Sequence, residues 1–178
     1  MNFNNLSFEF FMKKHFILPV LLVFTSTMCF AGNPQMLHFS GISFDMQGWN
    51  LITENDDGEV SILGYKDDNI SFIDIEKFVS DGERILNGDM VEDIIDDISE
   101  NDMEVVSKSN IKSTEINGIK AKYVDLKLKQ DAVLFARIYC VEKGGYTIII
   151  ITTSKVSTLE KHLEQFSNIL NTFKFSPK

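Results

Sequence analysis

The chain is poor in cysteine, in proline and in basic residues, and each shortage excludes a class of protein. Two cysteines in 178 residues cannot knit a disulfide scaffold. Three prolines beside a hydrophobic fraction of 44% are the composition of neither a collagen nor a disordered chain. Seventeen Lys+Arg stand against 26 Asp+Glu, a net charge of −9. That balance argues against a general nucleic-acid binder, which needs a basic face to displace counterions. Motifs of catalysis are missing as well: there is no phosphate loop, no Gly-x-Ser-x-Gly elbow and no His-Glu-x-x-His. What the length and composition leave is a single globular domain.

The most specific local signal is at the start. Lys13, Lys14 and His15 precede an apolar run from Phe16 to Phe24, which continues through Cys29 and Phe30 to the small residues Ala31 and Gly32. This positive, apolar, small-residue order is that of a secretory signal peptide. Phe16 to Ala31 is 16 residues, short of the ~20 that span a bilayer as a helix, and Pro19 interrupts the run. A membrane anchor, or a lipoprotein modified at Cys29, are the alternatives. Met28 is larger than the residue lipid modification prefers before its cysteine.

The expected organisation is therefore a signal peptide over residues 1–31, with Met12 as an alternative start, and one domain over 32–178. Removal leaves 178 − 31 = 147 residues, periplasmic or secreted, with no transmembrane helix. Cys140 is then the remaining cysteine. It sits in the apolar stretch Ala132 to Val141 and reads as a buried thiol rather than a nucleophile.

Charge divides the domain. Residues 32–104 carry 19 acids and 3 bases, residues 105–178 carry 6 acids and 12 bases, so the halves are −16 and +6. The asymmetry points either to an acidic docking face or to two halves that neutralise one another.

Short strands separated by Asn-Asp-Gly clusters fill the first half: Leu37–Phe39, Ile42–Phe44, Leu51–Ile52, Val60–Tyr65 and Ile70–Phe78. Phe72, Asp74 and Glu76 alternate with Ile73, Ile75 and Lys77, which predicts a strand with one polar side near the sheet margin. Val91, Ile94, Ile95 and Ile98 keep the i, i+3, i+4, i+7 spacing of a helix between Asn87 or Gly88 and Asn101-Asp102.

Strands follow again. Asn117-Gly118 predicts a tight hairpin. From Ile119 the apolar parity changes between Tyr123 and Leu126, which predicts a bulge near Val124-Asp125. Four successive β-branched residues, Ile148 to Ile151, suit a central strand buried on both faces. Ser157-Thr158-Leu159-Glu160 reads as a capping box opening a last helix, whose stripe is Leu159, Leu163, Phe166, Ile169, Leu170 and Phe173.

This order resembles the PsbP-like superfamily, which includes photosystem II PsbP and bacterial DcrB-type envelope proteins. The resemblance rests on Gly41-Ile42-Ser43-Phe44 leading to Gly48-Trp49, and on Ile116-Asn117-Gly118 before a long strand. Gly145-Tyr146-Thr147-Ile148 and the ending Phe166 to Phe175 complete it. Where the family usually has a proline before Gly-Trp, this chain has Met46-Gln47. The resemblance implies an α+β fold, a mostly antiparallel sheet flanked by helices on both faces (an α/β/α sandwich), and a mostly non-enzymatic role.

No cofactor and no metal site are expected. Thr53 to Gly64 mimics a calcium loop, but Thr53 and Gly64 fall where carboxylates are required. His38 and His162 are isolated in their segments and read as solvent-facing or hydrogen-bonded. Trp49 reads as a core residue. Lys120 and Lys122, and Lys127 and Lys129, lack interleaved aromatics and read as edge charges.

One surface feature supports a site. Asp89, Asp93, Asp96, Asp97 and Glu100 lie on the polar side of the acidic helix. They include like-charge i,i+4 pairs that each cost about 0.2–0.5 kcal/mol, and several sit at the end the macrodipole disfavours. Lysines of the second half, a divalent cation or a basic partner would each offset this. The function expected is an exported, non-enzymatic envelope accessory or protein-binding module, its partner an envelope protein and not a nucleic acid. The alternative is an exported hydrolase using carboxylates such as Asp74 and Glu76, which requires them across a cleft with split pKa values.

Overall fold

The computed structural model describes residues 36–39, 41–46, 48–56, 59–66, 71–80, 88–100, 103–129 and 131–176. The expected signal peptide lies outside the described residues. In chain order the elements are β1 (Met36–Phe39), β2 (Ile42–Asp45), β3 (Asn50–Asp56), β4 (Glu59–Tyr65), β5 (Phe72–Val79) and α1 (Gly88–Glu100). The second half contains β6 (Glu104–Lys108), β7 (Lys112–Ile116), β8 (Ile119–Lys129), β9 (Val133–Lys143), β10 (Tyr146–Lys155), a 3₁₀ turn (Val156–Thr158), α2 (Leu159–Thr172) and β11 (Lys174–Phe175).

An eight-stranded sheet runs β3-β4-β5-β10-β9-β8-β6, with β7 also paired to β8, and a three-stranded sheet runs β1-β2-β11. All pairings are antiparallel. Among the described residues the protein is α+β, a mostly antiparallel sheet with two helices.

β10 is central, bonded along its length to β5 and β9, and Ile148 to Ile151 are all at most 2% exposed. Their side chains alternate. Ile148 and Ile150 join a cluster with Phe44, Trp49, Phe166, Ile169 and Phe173. Ile149 and Ile151 join a second one with Met90, Val91, Ile94 and Ile98. Each such side chain, fully buried, is worth about 1.5–3 kcal/mol of transfer free energy.

Two tight connections need special backbone. Asn117 and Gly118 take φ of 46° and 76°, the pair of positive angles that a two-residue hairpin with the sheet's twist requires. Gly41 has φ +84°, and a Cβ there would meet the Ser176 carbonyl oxygen at 2.5 Å. The Ser176 amide donates to the Gly41 carbonyl at 2.9 Å, so the missing side chain lets the C-terminal strand close onto β2.

Four sequence expectations are overturned. The bulge is not in β8, whose register with β9 is continuous from Ala121↔Val141 to Lys129↔Val133; it lies in β6, between Val105 and Ser107. The apolar parity changes because the covering changes. Ile119, Ala121 and Tyr123 face the cluster around α2, whereas Val124, Leu126 and Leu128 face the cluster around α1. The strand keeps one pleat throughout. Lys120 and Lys122 therefore point to the opposite side of the sheet from Lys127 and Lys129.

β5 is not marginal. It is paired on both sides, to β4 and β10, and its polar residues Asp74 and Glu76 are only 7% and 2% exposed. Ser157 is not a helix cap: it lies inside the 3₁₀ turn, and α2 starts at Leu159 after Thr158, whose side chain makes no cap bond. The Thr158 hydroxyl instead donates back to the Lys155 carbonyl at 3.3 Å, and the tight turn delays the helix. Finally, Leu163 of the expected stripe is 46% exposed, and His162 takes the buried position beside Phe166.

Candidate functional site

The acidic helix forms where the apolar period predicted. Met90, Val91, Ile94 and Ile98 are at most 5% exposed, which anchors one side and turns the other to solvent. Glu92, Asp93, Asp96 and Ser99 are exposed. The side chains of Asp89, Asp97 and Glu100 lie outside the described residues, although the backbone at all three is helical.

No basic residue occupies the last turn of α1, so the carboxylates there lack intrahelical compensation against the macrodipole. One lysine of the second half does reach the helix: the Lys108 ammonium pairs with the Glu92 carboxylate. That pair is on the rim, with both side chains about half exposed, and such pairs are worth about 0–1 kcal/mol. Among the described residues, no three His, Cys, Asp or Glu side chains are grouped to hold a metal ion.

Two other polar constellations escaped the sequence reading. The first is a buried knot joining Ser71, just before β5, to β10 and α2. His162 Nδ1 lies 2.9 Å from both the Ser71 and the Ser154 hydroxyl oxygens, which are 3.2 Å from one another. Ser154 also meets the Thr158 hydroxyl at 3.2 Å. With Ser71 and Ser154 fully buried and His162 only 4% exposed, no substrate reaches these hydroxyls. The knot satisfies buried polar groups and ties α2 to the sheet.

The second constellation lies on β8 and β9. Arg137 forms a bidentate pair with Asp125, Nε to Oδ1 at 2.5 Å and Nη2 to Oδ2 at 3.2 Å. Its guanidinium lies 4.5 Å from the Tyr123 ring centre and 5.9 Å from that of Tyr139. Desolvation alone would lower the Arg137 pKa. The hydrogen bonds and charges of Asp125 and Tyr139 outweigh it and raise the value, so the guanidinium stays charged. Burial pushes the Tyr139 hydroxyl up. Tyr123-x-Asp125 and Phe135-x-Arg137-x-Tyr139 carry this pattern in the sequence at strand period, but which face stays open depends on where the helices settle.

Trp49 is a core residue, 6% exposed, with its ring 5.4 Å from that of Phe166 and the Lys66 ammonium over it at 4.6 Å. Lys77 is buried beneath the rings of Tyr146 and Phe175, at 4.4 and 5.8 Å, and desolvation lowers its pKa. Cys140 is buried, as its apolar stretch predicted. Asp74 and Glu76 lie side by side on one face of β5 rather than across a cleft. Among the described residues no helix is long and apolar enough to cross a membrane.

No family model matches the chain, and no curated protein matches it. Solved structures do. The solution structure of cyanobacterial PsbP (CyanoP) from Synechocystis sp. PCC 6803 matches over 85% of this chain and 98% of its own, with a TM-score of 0.58 at 11% identity. LpqN of Mycobacterium tuberculosis, described as involved in cell envelope biogenesis, matches over 76% of this chain and 83% of its own, with a TM-score of 0.51 at 13% identity. At these identities the likeness is one of fold, and the fold is PsbP-like, as the sequence resemblance implied.

Proposed function

We propose that the chain is a non-enzymatic binding module of the cell envelope, exported by a signal peptide over residues 1–31 and working as one domain from residue 32. The observation that carries this reading is the shared fold with LpqN, a protein involved in cell envelope biogenesis, together with the near-complete coverage of CyanoP. In this reading the sheet is an α/β/α sandwich with a helix over each face. The alternation of Ile148 and Ile150 toward residues of α2, and of Ile149 and Ile151 toward residues of α1, supports it.

The docking face we assign is the acidic side of α1 that the helical spacing of Asp89, Asp93, Asp96, Asp97 and Glu100 defines, with Asp93 and Asp96 exposed, and its partner is an envelope protein presenting basic residues. A metal is a poorer occupant, because side chains fanned along one helical face seldom close a shell around Ca²⁺. The hydrolase alternative is weaker. Asp74 and Glu76 are on one strand and almost fully buried, whereas acid–base catalysis needs carboxylates within reach of a substrate.

The test is N-terminal sequencing of protein extracted from the envelope, followed by crosslinking in intact cells from position 93 and mass spectrometry of the adducts. The reading expects a chain beginning near Gly32 and a discrete adduct with a basic envelope protein. An intact Phe16–Phe30 segment in the membrane fraction would overturn the export reading, and no adduct from position 93 the docking face.

A further inference from the structure

The face of the sheet that turns away from the α1 cluster is open beside β8 and β9, and its chemistry is opposite to that of the acidic helix. Strand pairing sets Lys127 against Phe135, Asp125 against Arg137 and Tyr123 against Tyr139, and paired residues share a face. Lys112 is added from β7, opposite Tyr123, with its ammonium 3.7 Å from Asp125 and 5.5 Å from the Tyr123 ring centre. Aromatic rings and cations that look separate in sequence are thus interleaved across strands.

The charge of this face runs against that of the chain. Lys112, Lys127, Lys129 and Arg137 meet two acids, Asp125 and Glu104, the latter paired with Lys129, in a protein of net charge −9. Lys127 and Lys129 are exposed, and Tyr123, Phe135 and Arg137 are half-buried. At the hairpin end Val133 is 41% exposed and Val156 48%; Val156 follows directly on the registered pair Lys155↔Leu134.

We infer that this face is a second docking surface, and that it takes an acidic segment of a partner polypeptide bearing apolar side chains. Tyrosine and arginine are the residues that carry most interface energy. Arg137 is held by Asp125 and Tyr123 before any partner arrives, so little side-chain entropy is lost on binding. Two of its five N–H donors are spent on Asp125, and others remain for a partner carboxylate. A polypeptide fits better than anionic lipid: Tyr123, Phe135 and Arg137 are half-buried in mid-strand, where a segment can lie along them, while a bilayer meets protruding tips.

The inference rests on the chain being a protein-binding module but not on the acidic helix. Isotope-labelled protein is titrated with a short synthetic peptide alternating Glu and Leu, with its Glu–Ser counterpart, and with phosphatidylglycerol–phosphatidylcholine vesicles. The Glu–Leu peptide is expected to shift the amides of Tyr123, Lys127, Phe135 and Arg137, and the Glu–Ser peptide to bind several-fold more weakly. Lys127→Glu with Lys129→Glu should weaken binding about tenfold while circular dichroism shows the protein still folded. Equal affinity for both peptides, shifts centred elsewhere, indifference to the double reversal, or a response of this face to vesicles and not to peptide would each overturn the inference. Should position 93 yield no adduct in cells while the peptide results hold, the acidic-helix reading alone falls.

Discussion

The two hydrophobic clusters share strands β8, β9 and β10 yet are built from different materials. The cluster around α2 buries Phe44, Trp49, Tyr139, Phe166, Phe173 and Phe175. Among the described residues, the cluster around α1 has Met, Val, Ile, Leu, Ala and Cys at its buried positions, and the rings packed against it, Phe72 and Phe78, are only partly buried. Geometry explains the difference. On the α2 side a helix and the small β1-β2-β11 sheet must both be joined to the large sheet, and rings fill such irregular volume while bridging longer gaps. In the cluster around α1, branched aliphatic side chains fill most of the buried positions and pack closely against the pleated strands. Polar groups are divided as well. The His162 knot and Lys77 belong to the aromatic side, whereas Asp74 and Glu76 alternate to the other, opposite Ile151 and Ile149.

The comparison breaks most severely at β10. Ile149→Asp and Ile150→Asp aim one carboxylate at each cluster, and both are expected to prevent folding, since a buried unpaired charge costs several kcal/mol, comparable to the whole stability of a domain. If either variant melts within a few degrees of wild type by circular dichroism, the corresponding cluster is not a closed core.

Phe166→Ala removes the ring that meets Trp49 and His162 and is expected to cost about 3–5 kcal/mol in denaturant titration, against about 0.5–1.5 kcal/mol for Ile94→Val in the aliphatic cluster. A loss below about 1 kcal/mol for Phe166→Ala would mean that the ring is not part of a closed core. His162→Ala removes the ring nitrogen that the buried Ser71 and Ser154 hydroxyls meet, an expected loss of about 1–3 kcal/mol. A neutral result would mean that the knot does not tie α2 down.

The smallest effect is at the surface of α1. Asp96→Asn with Asp97→Asn should raise stability by up to about 1 kcal/mol, by relieving like-charge pairs and the unfavourable end of the macrodipole, while weakening the adduct formed from position 93. Unchanged adduct yield beside a higher melting temperature would falsify the docking role and leave a solvated face.

What was legible in the sequence was local. The spacing of Val91, Ile94, Ile95 and Ile98 located α1, Asn117-Gly118 a turn of two positive φ angles, and Ile148–Ile151 the central strand. The errors arose where a distant element decides. No local signal tells that Ile119, Ala121 and Tyr123 of β8 belong to one cluster and Val124, Leu126 and Leu128 to the other, so a change of cluster reads as a bulge. The alternation of Asp74 and Glu76 with isoleucines is the same on an edge as inside a sheet, and only the pairing with β4 and β10 separates the two. His162 takes the core position rather than Leu163, where Ser71, just before β5, and Ser154 of β10 meet its ring nitrogen. Of the candidate site, the acidic face of α1 was readable from helical spacing, and the Tyr123–Arg137 face was not, because its cations and rings interleave across strands rather than along one.

The account's central claim is that two unlike clusters on shared strands form one cooperative unit. Trp49, the sole tryptophan, sits in the aromatic cluster, while Ile94 sits in the aliphatic one. Urea unfolding of wild type and Ile94→Val, followed by Trp49 fluorescence and by far-ultraviolet circular dichroism, tests the claim directly. Coincident curves in each protein, with Ile94→Val shifting both midpoints downward together, are predicted for a two-state unit. A circular dichroism midpoint that moves while the Trp49 transition stays in place would show that the clusters unfold separately and would contradict the account.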